Sequence, residues 1–217
     1  MNVKLISITK SAIQEKELTP EDLIVYTARV SNPTNQLNTE TSSKLLKYLV
    51  KHKHWSPFEM VDMTVEIKTS RAIAQQIIRH RSFSYQEFSQ RYSRSTNYEE
   101  VELRKSGATN RQSSLEVFDP IINNTKASEL VSKHLENCDA LYNSLLDAGV
   151  AKECARGILP LTTQTTLYMK GSIRSWIHYI QVRCDETTQL EHRKIALQVL
   201  DIFSDNFPNI AEGLGLK

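Results

Sequence analysis

The sequence predicts one domain of the α/β (α+β) class, built on a mixed, largely antiparallel sheet flanked by helices. Three observations predict this class. The chain has 217 residues, a length that fits a single domain over 1–217. With 40% hydrophobic and 24% charged residues, its composition is that of a globular protein able to bury a core. Segments that alternate between apolar and polar residues, as strands do, are interspersed with segments of helical periodicity.

Five elements are predicted in the first part of the chain. They are strands at 1–9 and 60–69, a helix that begins at Thr19, and helices at 41–51 and 70–80. Thr19 is a suitable N-cap because its hydroxyl can accept a hydrogen bond from the first turn, and Pro20 is favoured at the first helical position. The strand at 60–69 has the clearest pattern, since residues 61–68 alternate between apolar and polar side chains.

Residues 95–125 interrupt this regularity. They are polar, with scattered Ser, Thr, Asn and Gly, and they have little periodicity, so we predict a loop there. Beyond them, the predicted elements are helices at 127–147, 152–157, 172–183 and 189–203 and a strand at 164–170. Gly149 is expected to end the first of these helices, because glycine readily adopts the left-handed conformation that follows a helix.

Composition and charge argue against several classes of protein. Lys and Arg number 27 and Asp and Glu 25, and a net charge of only +2 disfavours a general nucleic-acid coat. No apolar run approaches the roughly 20 residues that cross a bilayer, and the first residues lack the apolar stretch of a signal peptide. The three cysteines, Cys138, Cys154 and Cys184, are odd in number and widely spaced, which predicts a reducing, cytoplasmic setting.

The sequence contains no glycine-rich loop for phosphate. Neither GxGxxG nor GxxxxGK[ST] occurs, and glycine is scarce, at six residues. Side chains would therefore have to hold a phosphate-bearing cofactor. No set of His, Cys and Asp residues has metal-ligand spacing, so we predict no metal.

The segment from Arg71 to Arg94 is rich in arginine. It contains five arginines, no lysine and a single acid, Glu87. Arginine without lysine favours bidentate recognition of phosphates or carboxylates, because the guanidinium group is planar and always charged. Between Arg79 and Tyr92, cations, serine hydroxyls and a carboxylate can converge on one anionic ligand. For the RHR triplet alone, the alternative is a basic helix end that complements the helix dipole.

The predicted helix at 172–183 has two polar faces. At 100° per residue, His178 and Gln181 lie within about 40° of Arg174, whereas Arg183 lies about 180° away. The apolar stripe between about 200° and 300° consists of Ile173, Trp176, Ile177 and Ile180. The helix is expected to present the face of Arg174 to a ligand. Arg183 would offer a further cation on another side of the helix. The alternative is an amphipathic helix with a solvated polar side.

Four motifs occur in a fixed order along the chain. They are HWSPFE at 54–59, RHR with Ser-x-Arg-Tyr seven residues later at 79–92, ARGILPL at 155–161 and SIRSWIHYIQVR at 172–183. This set resembles the flavin-dependent thymidylate synthases, whose signature is intact in the second motif. The resemblance covers about residues 20–205 and is weakest across 95–130. One departure is Met60, which stands where the family usually has histidine.

The resemblance implies a site for FAD and a site for dUMP. The residues implied to contact FAD are Ser56, Arg79, His80, Arg81, Glu87, Ser172, Arg174 and His178. Those implied to bind dUMP are Gln76, Arg79, Glu87, Ser89, Gln90, Arg91, Arg156 and Arg183. Arg183 matches the arginine that the family uses to activate the uracil ring, and we predict it as the catalytic residue.

The implied reaction is the reductive methylation of dUMP to dTMP. Methylenetetrahydrofolate would supply the carbon and NADPH-reduced FAD the hydride, in a homotetramer with active sites shared between subunits. Arg183 stays protonated at neutral pH, so its role would be to stabilise negative charge on uracil rather than to act as a base. A cysteine nucleophile is disfavoured: Cys138 has no basic partner in its predicted helix. Cys154 and Cys184 lie near arginines, but buried cysteine usually packs as a small hydrophobe.

Two other interpretations remain open. The arginine-rich segment is interleaved with Phe83, Tyr85, Phe88 and Tyr92, which would suit stacking on single-stranded nucleic acid. Near-zero net charge and the lack of lysine argue against it. The second interpretation is an unrelated nucleotide-binding enzyme, or an inactive relative with a structural role. Flavin absorbance of the purified protein would separate the nucleic-acid binder from the flavoenzyme.

Overall fold

The computed structural model describes residues 1–94, 97–108 and 114–216. The strands are β1 (Asn2–Ile8), β2 (Asp62–Ser70), β3 (Ser84–Glu87), β4 (Arg104–Ser106), β5 (Ser114–Val117), β6 (Ile121–Ile122), β7 (Thr125–Lys126) and β8 (Gln164–Ser172). The helices are α1 (Pro20–Ala28), α2 (Ser42–Lys51), α3 (Arg71–Ile77), α4 (Ala127–Asp147), α5 (Lys152–Ala155), α6 (Ile173–Arg183), α7 (Leu190–Asn206) and α8 (Pro208–Leu214). Short 3-10 turns lie at Pro33–Asn35, Ser56–Glu59 and Arg156–Ile158. The predicted fold class is confirmed.

The strands form one larger sheet and two small ones. The larger sheet has the order β1-β2-β8-β3, and the antiparallel pairs β4–β5 and β6–β7 form the small sheets. Contacts divide the chain into two compact units: unit 1 takes Met1, 68–77 and 87–167, and unit 2 takes 2–67, 78–86 and 168–217. Both β2 and β8 supply residues to each unit. The expectation of a single domain stays a prediction.

The alternation in β2 builds much of the core of unit 2. Val61, Met63, Val65 and Ile67 are all 0% exposed, as the pattern at 60–69 predicted. The indole of Trp176, also fully buried, donates from Nε1 to the Met63 carbonyl at 2.9 Å, so this buried N–H is satisfied. Among the described residues, no helix combines the length and apolarity needed to cross a membrane.

The predicted helix boundaries at Thr19 and Gly149 are confirmed. The Thr19 hydroxyl accepts from the Asp22 amide at 3.1 Å, and the Asp22 carboxylate accepts from the Thr19 amide at 3.3 Å. This reciprocal pair is a capping box that satisfies two amides at the start of α1. Gly149 has a φ of +86°, the left-handed conformation expected just after the end of α4.

The prediction of a loop over 95–125 is wrong for part of the segment. Strands β4, β5 and β6 lie within it, and β7 starts at its end. The turn between β6 and β7 is formed by Asn123 and Asn124, with φ of 49° and 65°. Paired asparagines suit such a hairpin turn, but strands this short and exposed show no alternation to detect. Residues 95–96 and 109–113 of the predicted loop lie outside the described residues.

One predicted helix is shorter than expected, and one helix was not predicted. The helix predicted at 70–80 ends at Ile77, before the segment that carries His80, so this histidine lies on a turn. Helix α8 was not predicted at all. It begins with Pro208 at its first position and ends at Gly215, whose φ is 67°. Both residues are recognisable helix-boundary signals.

Gly171 in β8 is expected to be intolerant of any side chain. A Cβ there would lie 2.4 Å from Phe83 Cδ1 and 2.6 Å from Cε1. The Phe83 ring cannot retreat, because it packs edge-on against the buried Trp176 at 4.7 Å between ring centroids. We therefore expect Gly171→Ala to reduce the free energy of unfolding by about 1–3 kcal/mol, as overpacking does.

Urea unfolding of Gly171→Ala against Gly157→Ala would check this expectation. A Cβ at Gly157 meets nothing within 4 Å, so the second variant should keep the wild-type midpoint. Equal midpoints for the two variants would contradict the proposed clash.

Candidate active site

One side of α6 faces a cleft in unit 2. Arg174, His178 and Gln181 line it, as their predicted common face requires. Its volume is about 450 Å³, within the range of about 300–1,000 Å³ typical of small-molecule sites. The remaining lining residues are Trp55, Glu59, Ser82, Ser175 and Ile177. The cleft combines a cation, hydroxyls and an amide with an apolar wall, a set suited to a ligand that is both anionic and aromatic.

The predicted buried stripe of α6 is also confirmed. Ile173, Trp176 and Ile180 are 0% exposed and Ile177 is 2% exposed. Tyr179, which the stripe did not include, is also fully buried. With its apolar side in the core, α6 holds its polar side chains on a rigid support.

Glu59 joins two predicted cofactor residues in this cleft. Its Oε1 pairs with Arg174 Nη1 at 2.9 Å, and its Oε2 accepts from the Ser172 hydroxyl at 2.5 Å. Ser172 is also the N-cap of α6, where its oxygen accepts from the Ser175 amide. The exposed Ser56 begins the 3-10 turn that ends at Glu59. Glu59 was not among the predicted site residues, although it is the last residue of the HWSPFE motif.

Arg183 and His80 are in direct contact. Arg183 Nε donates to His80 Nε2 at 2.8 Å. Burial, followed by the charges of Arg183 and His178, lowers the pKa of His80 to about 4. The imidazole is therefore neutral at physiological pH, and its Nε2 is an acceptor.

A buried pair of rings lies behind His80. Its ring packs edge-on against Tyr179, with 5.0 Å between ring centroids, and the Tyr179 hydroxyl lies 3.1 Å from His192 Nε2. His192 is fully buried, and burial with the nearby Arg183 and His80 lowers its pKa to about 4. Burial raises the pKa of Cys184 to about 11, so this thiol stays protonated and is a poor nucleophile.

In unit 1, Glu87 ends β3 with its carboxylate held by two groups. The Thr165 hydroxyl donates to Oε1 at 2.9 Å, and Arg71 Nη1 lies 3.5 Å from the same oxygen. Gln76, half-buried, lies on α3, which begins at Arg71. Arg71 and Thr165 were not among the predicted site residues. They contact Glu87 only through the tertiary fold, so no local sequence pattern marks them.

The residues after Glu87 form a tight turn beside a second cavity. The Tyr92 and Ser93 amides both donate to the Ser89 carbonyl at 3.1 Å. The cavity, of about 370 Å³, is lined by Ser89, Arg91, Tyr92, Ala151, Lys152 and Glu153. Arg91 Nη2 pairs with Glu153 at 3.1 Å, and Lys152 Nζ donates to the Tyr92 carbonyl at 2.8 Å. Arginine, lysine and serine side chains thus line this cavity together with the Glu153 carboxylate.

The remaining predicted residues occur in both units. Gln90 is 4% exposed, and its Nε2 has no hydrogen-bond partner among the described residues. Arg156 begins the 3-10 turn that follows α5. Arg79 and Arg81 are exposed on either side of His80, and Met60 is 55% exposed. The predicted site residues therefore divide between the two units.

Within the part of the chain that the structure describes, no group of three or more His, Cys, Asp or Glu side chains is placed to hold a metal ion. The two clusters instead present arginine side chains to their cavities. They define a class of protein that binds anionic ligands through side chains, without a glycine-rich loop.

Comparison with known sequences identifies the family. The thymidylate synthase complementing protein family, Thy1, matches residues 13–209. The chain therefore belongs to this family, in agreement with the resemblance carried by its motifs.

Relatives extend over the whole chain. A flavin-dependent thymidylate synthase from Synechocystis sp. is 54% identical over 218 residues, covering 99% of both chains. A probable flavin-dependent thymidylate synthase from Paramecium bursaria Chlorella virus 1 is 49% identical over 99% of both chains. A flavin-dependent thymidylate synthase from Thermus thermophilus is 33% identical over 85% of this chain and 68% of its own length.

Proposed function

We propose that the chain is a flavin-dependent thymidylate synthase, which methylates dUMP to dTMP and uses FAD as its cofactor. The observation that carries this proposal is the full-length match to relatives of that name, at 54% and 49% identity. The site geometry agrees with it, because arginine side chains, which suit phosphate-bearing ligands, line both cavities.

The FAD site combines residues from several elements. The residues proposed to hold it are Ser56, Arg79, His80, Arg81, Glu87, Ser172, Arg174 and His178. The cleft beside α6 fits part of such a ligand, since Trp55 and Ile177 offer an apolar wall and Arg174 a cation. When bound, the flavin supplies the hydride chemistry that the side chains of this protein cannot supply.

The dUMP site is proposed to depend on the turn after Glu87. Its residues are Gln76, Arg79, Glu87, Ser89, Gln90, Arg91, Arg156 and Arg183. Arg91, which lines the same cavity as Ser89, is proposed to bind the phosphate in place of its present partner Glu153. The unsatisfied amide of Gln90 suits a further polar contact with the ligand.

Arg183 activates the pyrimidine by charge. Its guanidinium donates hydrogen bonds but cannot accept a proton at neutral pH, so it stabilises negative charge on the carbonyl edge of uracil. Charge drawn to that edge increases the enolate character of the ring and the nucleophilicity of C5. This mechanism uses no protein nucleophile, which agrees with the raised pKa of the Cys184 thiol.

Further features of the proposal concern co-substrates and assembly. Methylenetetrahydrofolate is the proposed carbon donor, and NADPH the proposed reductant of the flavin. The working form is proposed to be a single-domain subunit of a homotetramer with shared active sites. The three cysteines are free thiols, which fits a cytoplasmic protein.

The aromatic residues of the arginine-rich segment bear on a nucleic-acid-binding role. Phe83 is only 9% exposed and packs against Trp176, and Tyr85 is half-buried with its hydroxyl bonded to the His80 carbonyl. These two rings are engaged in the core and are not free to stack on bases, whereas Phe88 and Tyr92 are exposed. Because the net charge is only +2 and the segment lacks lysine, we propose no nucleic acid among the partners.

The test is an assay of the purified protein with dUMP, methylenetetrahydrofolate and NADPH. We expect dTMP to form with FAD and not after FAD has been removed, and we expect the protein as purified to show flavin absorbance. A protein without flavin absorbance that makes no dTMP, even with added FAD, would refute the proposed function.

Ser89→Ala is expected to weaken dUMP binding about 2- to 10-fold, the effect of one hydrogen bond of about 0.5–1.5 kcal/mol. FAD binding should change less, because Ser89 belongs to the proposed dUMP set alone. Separate titrations of the two ligands check this, with Ser132→Ala on the exposed face of α4 as the matched control. An equal loss for both ligands would indicate that Ser89 supports the turn rather than the substrate.

A further inference from the structure

We propose that His80 is a positioning residue for Arg183, acting through the lone pair of its Nε2. This inference rests on the proposed function, because it concerns how the arginine that activates uracil is held. It adds to the FAD contact that the family resemblance implies for His80, and it assigns a separate role to one ring nitrogen.

The chemistry of the two groups determines which atom carries the proton. A guanidinium group has five N–H donors and no acceptor. Arg183 Nε lies 2.8 Å from His80 Nε2, so Nε–H must be the donor and Nε2 the acceptor. The neutral imidazole therefore carries its proton on Nδ1. This assignment follows from the identity of the partner rather than from an observed hydrogen.

The contact leaves the reactive end of the arginine available. Holding Nε restricts the plane of the guanidinium and leaves Nη1 and Nη2 available as a fork at its outer end. Nη1 and Nη2 of Arg183 form no hydrogen bond or ion pair with the described residues. Two parallel N–H groups in a fixed plane match the carbonyl and ring-nitrogen edge of a pyrimidine.

His80 is itself held at both its backbone and its ring. The Tyr85 hydroxyl donates to the His80 carbonyl at 2.9 Å. The ring packs edge-on against Tyr179 at 5.0 Å, and Tyr179 is anchored in the core with its hydroxyl 3.1 Å from His192. A positioning group needs this kind of support, because a mobile acceptor would not restrict the arginine.

The surroundings of His80 keep its Nε2 unprotonated. The titratable and charged groups that face it are Arg183, His178 and Tyr179 on α6, His192 on α7 and Tyr85 on β3. None of these supplies a negative charge at neutral pH, and Arg183 supplies a positive one. Burial, followed by the charges of Arg183 and His178, lowers the pKa of the imidazole to about 4, so the acceptor persists across the physiological range.

Two amide variants distinguish the roles of the two ring nitrogens of His80. In His80→Gln the side-chain oxygen can occupy the place of Nε2, whereas in His80→Asn it reaches only the place of Nδ1. We expect His80→Gln to keep the rate of dTMP formation within about threefold of wild type. We expect His80→Asn and His80→Leu to lower it at least tenfold when FAD and dUMP are saturating. His134→Leu, on the exposed part of α4, is the control and should match wild type.

A double-mutant cycle tests whether His80 acts through Arg183. The loss caused by His80→Leu should disappear in the Arg183→Met background, because no guanidinium is left to position. FAD titration and the urea midpoint of every variant show whether flavin binding or folding has changed instead. An unchanged His80→Leu effect in that background, or equal rates for the Gln and Asn variants, would overturn the inference.

A second measurement does not depend on turnover. The Arg183 Nε–H, assigned by its loss in Arg183→Lys, should exchange with solvent at least tenfold more slowly in wild type and His80→Gln than in His80→Asn. Equal exchange rates would refute the contact even in a protein that makes no dTMP. Absence of dTMP from wild type together with slow exchange would refute the proposed function and leave the positioning contact established.

Discussion

Arg183→Ala is expected to lower the rate of dTMP formation by about 10²–10³-fold, the usual cost of removing one group that stabilises developing charge. The methyl side chain leaves no cation beside the pyrimidine edge and no partner for His80 Nε2. FAD binding should be largely retained, because the proposed FAD contacts on α6 lie at Ser172, Arg174 and His178. This separation of rate from affinity distinguishes an electrostatic role from a structural one.

Single-turnover formation of dTMP with reduced flavin is the measurement, paired with a titration of FAD absorbance. Arg193→Ala on α7, a half-buried arginine outside the proposed site, is the control and should retain wild-type rates. Parallel loss of FAD binding and of turnover in Arg183→Ala would show that the residue supports the fold rather than the reaction.

Arg174→Met is expected to weaken FAD binding about 10- to 100-fold, since a hydrogen bond to a charged group contributes about 1.5–3 kcal/mol. The substitution keeps much of the side-chain volume while removing the cation from the cleft. It also leaves the Glu59 carboxylate without its partner at 2.9 Å, so an unneutralised negative charge would face an anionic ligand. Folding should change little, because the Arg174–Glu59 pair is exposed and such pairs stabilise proteins weakly.

Isothermal titration of FAD into the flavin-free protein would measure this effect. Glu59→Gln removes the carboxylate but keeps the cation, and its FAD affinity should equal or exceed that of wild type. If Glu59→Gln instead loses as much affinity as Arg174→Met, the orientation of the arginine matters more than its charge.

Regular patterns made most of the fold predictable. The strand at 60–69 and the face shared by Arg174, His178 and Gln181 follow from periodicities of two and 3.6 residues, which depend only on the backbone. Thr19 and Gly149 mark helix ends because their local chemistry is sufficient by itself. The hairpins β4–β5 and β6–β7 were missed, since exposed strands of two to four residues have no buried face to impose a pattern.

The sequence offers candidate site residues but not the contacts that join them. The motifs identified His80 and Arg183 separately, but the sequence holds no signal that joins positions so far apart. Glu59 was missed for a related reason. Its carboxylate joins the site because it contacts Arg174 and Ser172, which are distant in sequence. Pairings of this kind arise from tertiary packing, which local sequence does not encode.

Unit 2 is formed by segments far apart in the sequence, and this affects folding during synthesis. This unit needs residues 2–67 and 78–86 together with 168–217, and the long segment 87–167 belongs to the other unit. A nascent chain that has left the ribosome only as far as residue 167 lacks the partners of its earlier apolar segments. Closing so long a loop is entropically costly, so unit 2 is expected to fold late and slowly. Until then, β2 would be exposed to chaperones and to aggregation, and slower synthesis at reduced temperature should improve the yield of native protein.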